Sequence, residues 1–167
     1  PTFFSTIQEA IVAAYEEDTV EVLSGTYEES LDFLDKDLVL RSVSGPDSTL
    51  IEGDSTGPVL TIAGGQSNLT MVSGFTLTGG GGEDGGGVLV DGDATPNFQR
   101  LILAANNVSG NGAGMLVQSG SVALDHITMS GNTAGGSGGA LYAAAGSAVT
   151  IDNSILWNNG NTEIGSF

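Results

Sequence analysis

The sequence predicts an all-β fold, a right-handed single-stranded parallel β-helix (solenoid) of about five or six coils with an N-terminal capping α-helix. The first observation behind this is a repeat of about 26 residues through the second half, in three units: residues 85–111, 112–137 and 138–161. Leu77, Leu103, Met129 and Leu156 recur at spacings of 26, 26 and 27, and Asn106, Asn132 and Asn159 at 26 and 27, so equivalent residues are expected to stack. The second is composition within a unit. Short apolar runs rich in β-branched residues (Val88-Leu89-Val90, Leu101-Ile102-Leu103, Val122-Ala123-Leu124, Val149-Thr150-Ile151) are each broken by glycine. Helices do not survive that density, because each interior glycine costs about 1 kcal/mol relative to alanine. Each unit therefore reads as one coil of three short strands and tight turns.

The elements follow in order. Residues 5–16 (STIQEAIVAAYE) read as the one helix, with Ser5 and Gln8 as a capping box and Ile7, Ala10, Ile11 and Ala14 as its apolar face. A lone amphipathic helix ahead of a strand stack is expected to cover the open end of the core. Strands are expected at 19–23, 31–34, 38–42, 49–52, 59–63, 69–72 and 75–78, separated by turns at Ser24-Gly25, Ser44-Gly45-Pro46-Asp47, Gly57-Pro58 and Gly64-Gly65. The glycine cluster from Gly79 to Gly87 reads as a protruding turn, since the registry continues across it from Leu77 to Leu103. The chain divides as one domain, 1–167: a cap (1–18), first coils (19–84) and the three repeats (85–161). Thr162 to Phe167 is short for a C-terminal cap. The expectation is a part of a longer protein, or self-association through an uncapped C-terminal end.

Three basic residues (Lys36, Arg41, Arg100) against 20 acidic ones give a net charge of −17. That argues against nucleic acid, whose phosphates are neutralised by Lys and Arg. The acids crowd the first 54 residues, a pattern that fits a solvated, repulsive surface or adaptation to high salt or divalent cations. Cysteine is absent, so there is neither a disulfide framework nor a thiolate metal site. No apolar run approaches 18 residues, and no membrane insertion is expected.

The segment TIQEAIVAAYEEDTVEVLSGTYEESLDFLDKDLVLRSVSGPDSTLIEG (6–53) resembles the entry segment of right-handed parallel β-helix proteins of the pectin-lyase-like superfamily. GGALYA (138–143) and MSGN (129–132) resemble repeats of the polymorphic outer-membrane protein type, with Met129 and Leu103 where that pattern carries Phe and a degenerate Gly112-Ala113-Gly114. The resemblance implies a secreted or cell-surface structural or adhesive module, extracellular in location, with a polysaccharide or other cell-surface partner. The alternative it leaves open is a polysaccharide lyase or glycoside hydrolase fragment.

Arg100, His126 and Asn153 occupy equivalent positions in successive repeats, so Arg100 and His126 are the candidate catalytic pair, as base and charge stabiliser. The opposing reading makes them outward surface side chains. No cofactor is expected, with calcium left open: Asp125 and Asp152 align, and Asp91-Gly92-Asp93 forms an acidic turn. These supply only part of a shell of six to eight oxygens. Asn106, Asn132 and Asn159 read as a structural ladder, explained by the tolerance of asparagine for left-handed turns and by amide hydrogen bonding between layers. Trp157, Tyr142 and Phe98 suggest a sugar-stacking platform against a default of buried packing. Ice binding would need a flat threonine face. Thr76 and Thr78 begin one, but Ile102 and Ala104 follow at the equivalent places.

Overall fold

A computed structural model describes residues 2–160 and 162–166. Pro1, Asn161 and Phe167 lie outside the described residues, and with them the last residue of the third repeat and the end of the expected C-terminal segment. The chain is an all-β parallel solenoid of about five turns with one short N-terminal helix.

Three parallel six-stranded sheets run the length of the stack. The first holds Thr19–Val22, Val39–Ser42, Met71–Ser73, Asn97–Gln99, Ser121–Asp125 and Ala148–Asp152. The second holds Gly25–Glu28, Thr49–Glu52, Thr76–Thr78, Ile102–Ala104, Thr128–Ser130 and Ile155–Trp157. The third holds Leu31–Asp32, Leu60–Ile62, Val88–Val90, Met115–Val117, Leu141–Ala143 and Ile164–Ser166. A two-stranded ladder, Asn107–Val108 with Thr133–Ala134, sits between the second and third. Sequence pattern misses Gly25–Glu28 and this ladder, because one reads as a turn and the other is too short to show a period. At about 4.8 Å per layer the six layers span roughly 24 Å.

The core is built by register. Tyr27, Ile51, Leu77, Leu103, Met129 and Leu156 form one column in the second sheet. Val20, Leu40, Val72, Phe98, Leu124 and Ile151 form another in the first. Leu31, Leu60, Val88, Met115, Leu141 and Ile164 form a third. Neighbours on each strand point outward by the period of two. In the final layer Val149, Ile151 and Leu156 are only half-buried and Ile164 is exposed, whereas Val122, Leu124, Met129 and Leu141 one layer below are buried. Ile155, in the same layer, points outward.

The helix α1 spans Ile7–Ala13, shorter than expected, and its capping box is Thr6 with Glu9 rather than Ser5 with Gln8. Thr6 holds the extended conformation an N-cap requires and accepts from the Glu9 N–H, while Glu9 accepts in return from the Thr6 and Ser5 N–H groups. Gln8, left out of the cap, makes a reciprocal pair with the Asp32 backbone through its amide, as a neighbouring strand would. The first coil grips both helix ends. Glu29 accepts from the N–H groups of Ile7 and Gln8, and the Lys36 ammonium donates to the carbonyls of Ile11, Val12 and Ala14. Each charge has the sign the helix dipole favours. Ile7 and Ile11 are buried on the core, so α1 does cover the first layer.

The glycine cluster is not a protruding turn. Gly80, Gly81, Gly85, Gly86 and Gly87 are buried, and a Cβ on Gly80 would collide with the Gly86 carbonyl oxygen. Gly85, Gly112 and Gly138, the first residue of each repeat, have φ of 69°, 65° and 70° and lie against the outward side chains Leu89, Leu116 and Tyr142 of the third sheet. Glycine density here means close backbone approach, not looseness. A satellite core of Val108, Ala113 and Ala134 lies under these loops.

Candidate functional site

The corner between the first and second sheets is turned in successive layers by Gly74, Arg100, His126 and Asn153, with φ of 82°, 49°, 57° and 51°. A single left-handed residue redirects the chain there, so the side chains of the last three are thrown onto the exposed corner, one per layer. Arg100 and His126 are thus adjacent in the stack, as the spacing implied, and both are exposed. Asp125 immediately precedes His126 in the same layer. Its Oδ1 accepts from Asn153 Nδ2 at 2.8 Å and is 2.8 Å from His126 Nδ1. The Asn153 hydrogen bond, helped by the lesser effects of the His126 bond and charge and of the Arg100 charge, lowers the Asp125 pKa against an opposing desolvation second only to that bond. An ionised Asp125 selects the Nδ1–H tautomer of His126 and leaves Nε2 facing solvent. The cluster holds an oriented imidazole and a guanidinium, with no wall enclosing them.

Asp152 pairs with Asp125 in register, but its own side chain is exposed. Asp91 and Asp93 stand elsewhere, in the turn from the third sheet to the first, where the Ser119 hydroxyl donates to Asp91 and accepts from the Asp93 N–H. The four aspartates therefore form two separate places, at opposite ends of the strand Ser121–Asp125. Among the described residues no group of three or more His, Cys, Asp or Glu could hold a metal ion. No described helix is long and apolar enough to cross a membrane.

The asparagine ladder is joined by amide hydrogen bonds between layers, as expected, but not through the left-handed backbone that was the other expected reason. Asn106, Asn132 and Asn159 are buried and take ordinary backbone angles; the left-handed residues are those before them, Ala105, Gly131 and Asn158. Asn106 Oδ1 accepts from Gly80 N–H, and its Nδ2 donates to Leu77 O and to Asn132 Oδ1. Asn132 repeats this with Leu103 O and Asn159 Oδ1. Asn159 Nδ2 donates to Met129 O and to the Glu163 carboxylate, which stands where a further amide would be. Glu163 carries no repeat signal, which is why the sequence did not disclose it.

The three-aromatic platform is not formed. Phe98 and Tyr142 are buried at 0% and 4% exposure, while Trp157 is 69% exposed. Trp157 instead ends the outer face of the second sheet. The outward positions there stack as Thr76, Ile102, Thr128 and Ile155 in one row and Thr78, Ala104, Ser130 and Trp157 in the other. The two earlier layers continue these rows with Thr26 and Leu50, and with Glu28 and Glu52. Each row is visible in part from spacing, but a threonine criterion hides the broader feature, which is the lack of charge over four layers.

Comparison with protein-family models, with curated proteins and with solved structures gave no match to this chain.

Proposed function

We propose that this chain is a non-catalytic structural and adhesive module of a secreted or cell-surface protein, the role implied by its resemblance to pectin-lyase-like β-helices and polymorphic outer-membrane repeats. The observation that carries this reading is how the interior is used. A buried amide ladder and in-register apolar columns make a stiff rod, and the ionisable groups of the candidate site stand on its exposed corner. A stiff rod with exposed side faces suits display and spacing.

The enzymatic reading, a lyase or hydrolase with Arg100 and His126 at work, has one observation in its favour: Asp125 orients His126 beside Arg100. Incubation with a panel of uronic-acid polymers, monitored by unsaturated-product absorbance, decides between the two. No turnover is expected; turnover that disappears in Arg100→Ala would overturn the structural reading. Self-association belongs to the same proposal, because Ala148–Asp152, Ile155–Trp157 and Ile164–Ser166 leave one edge of each sheet unpaired among the described residues. Sedimentation is expected to show association rising with concentration, and a strict monomer up to about 100 μM would remove this part.

A further inference from the structure

We infer that the outer face of the second sheet, over the four layers from Thr76 to Trp157, is a docking face for a neutral polysaccharide. The inference rests on the adhesive-module reading and names its partner. Three observations carry it. The floor consists of Thr76, Thr78, Ile102, Ala104, Thr128, Ser130, Ile155 and Trp157, and none ionises, on a chain whose net charge is −17. The floor is flat by construction, because outward side chains of parallel strands stand in rows about 4.8 Å apart, giving a strip roughly 14 Å long across its four layers. Its chemistry alternates hydroxyls with apolar surface, and Ile155 and Trp157 are 61% and 69% exposed.

Charge selects the occupant. An acidic polymer would be repelled by a chain of net charge −17, and a second copy laid face to face finds on this strip neither opposite charge nor an unpaired strand edge turned toward it to offset the same repulsion. A neutral polymer meets neither penalty on this strip. A pyranose chain offers what the strip can use: apolar C–H faces for the Trp157 indole and Ile155, and hydroxyls for Thr78, Thr128 and Ser130, while the Thr76 hydroxyl already donates to the Pro46 carbonyl. Donors stand along the rim, at Arg100, His126 and Asn153 on one side and Asn158 on the other, each at a left-handed corner that pushes its side chain outward. Further toward the N-terminus Glu28 and Glu52 interrupt the strip, which confines the site to the four later layers.

The probes are suspensions of microcrystalline cellulose and of chitin, with a calcium-free pectate gel as the acidic comparison, and the readout is depletion of the protein from the supernatant. Depletion by at least one neutral polymer and none by pectate is expected. Thr128→Glu at the centre of the strip and Trp157→Ala at its end should each weaken binding by about tenfold, equivalent to 1.4 kcal/mol. Thr150→Glu, outward on the first sheet, should bind like wild type, and unchanged melting curves exclude misfolding as the cause. Retention on neither neutral polymer, or retention untouched by Thr128→Glu and Trp157→Ala, overturns the inference. So does a dimer that Thr128→Glu dissociates, since the face would then belong to a second copy. Turnover of uronic-acid polymers would instead overturn the module reading while leaving these binding results to be judged alone.

Discussion

Asn132 is the middle rung of the amide ladder, and Asn132→Ala separates the contribution of the ladder from that of the apolar columns. The side chain is fully buried and takes part in four hydrogen bonds: it accepts from Asn106 N–H and Nδ2 and donates to Leu103 O and Asn159 Oδ1. Two partners keep other bonds after truncation, because Asn106 Nδ2 still reaches Leu77 O and Asn159 Oδ1 still accepts from the residue 132 N–H. Asn106 N–H loses its ladder acceptor. With net values of roughly 0.5–1.5 kcal/mol per bond and about 1–3 kcal/mol for a buried group left alone, the loss comes to about 4 kcal/mol. For a chain of this size that is a fall in melting temperature of roughly 8–16 °C. Asn159→Ala, in the last layer, should cost about half as much, since terminal layers of a solenoid contribute one interface rather than two. Thermal melts followed by circular dichroism at β-sheet wavelengths provide the test. A change below about 3 °C for Asn132→Ala, well under the range that size implies, or a larger loss for Asn159→Ala, would refute the ladder as a principal source of stiffness.

Lys36→Met removes three bonds to the last carbonyls of α1, and should undock the helix, read as faster proteolysis near residues 12–15 with the solenoid melt shifted by about 1–3 kcal/mol. Asp37 is desolvated, which raises its pKa, but bonds from the hydroxyls of Ser67 and Thr70 and from the Ser67 N–H outweigh this and hold it below the ordinary carboxylate value. Its folded pKa being depressed, the stabilisation is present above the unfolded value and lost as pH falls through the folded one; the stability gap between wild type and Asp37→Asn should therefore close on acidification, and a gap that widens would reverse the assignment. Gly80→Ala should destabilise severely because its Cβ meets the Gly86 carbonyl, whereas Gly57→Ala, with open space around it, should change the melting temperature by no more than about a degree or two.

The columns are legible in the sequence because stacking demands one residue per layer at one place in the coil. Leu77, Leu103, Met129 and Leu156 advertise this directly, and they do stand in register. What the sequence hides is chemistry without a period. Glu29, Lys36 and Glu163 act once each, at an end of the stack, and nothing in their neighbourhoods distinguishes them from other charges. The glycine cluster misleads because a glycine that permits flexibility and one that permits close approach look alike in one dimension; only the Gly86 carbonyl beside Gly80 tells them apart. Spacing places Arg100 and His126 in adjacent layers, yet does not disclose their left-handed geometry, since arginine gives no signal for that conformation and histidine only a weak one.

That geometry makes the second sheet the most constrained part of the molecule. Each of its later strands is bracketed by two left-handed residues, Gly74 and Gly79, Arg100 and Ala105, His126 and Gly131, Asn153 and Asn158. The members of every pair are five positions apart. The strand between two fixed corners cannot lengthen, so the extra residue of a longer coil has to enter elsewhere. Val88 to Met115 in the third sheet is a step of 27 while Leu77 to Leu103 in the second is 26, and the later step of 27 arises in the turn between Ala143 and Ala148. Holding arginine, alanine and histidine in this conformation costs roughly 1–2 kcal/mol each, which a fold indifferent to the shape of that face would shed by using glycine. The strain is retained on both margins of a strip that carries no charge over four layers. Constant strand length, rigid corners and an uncharged floor thus coincide on a single face, and a surface that must match an extended, regular partner requires all three.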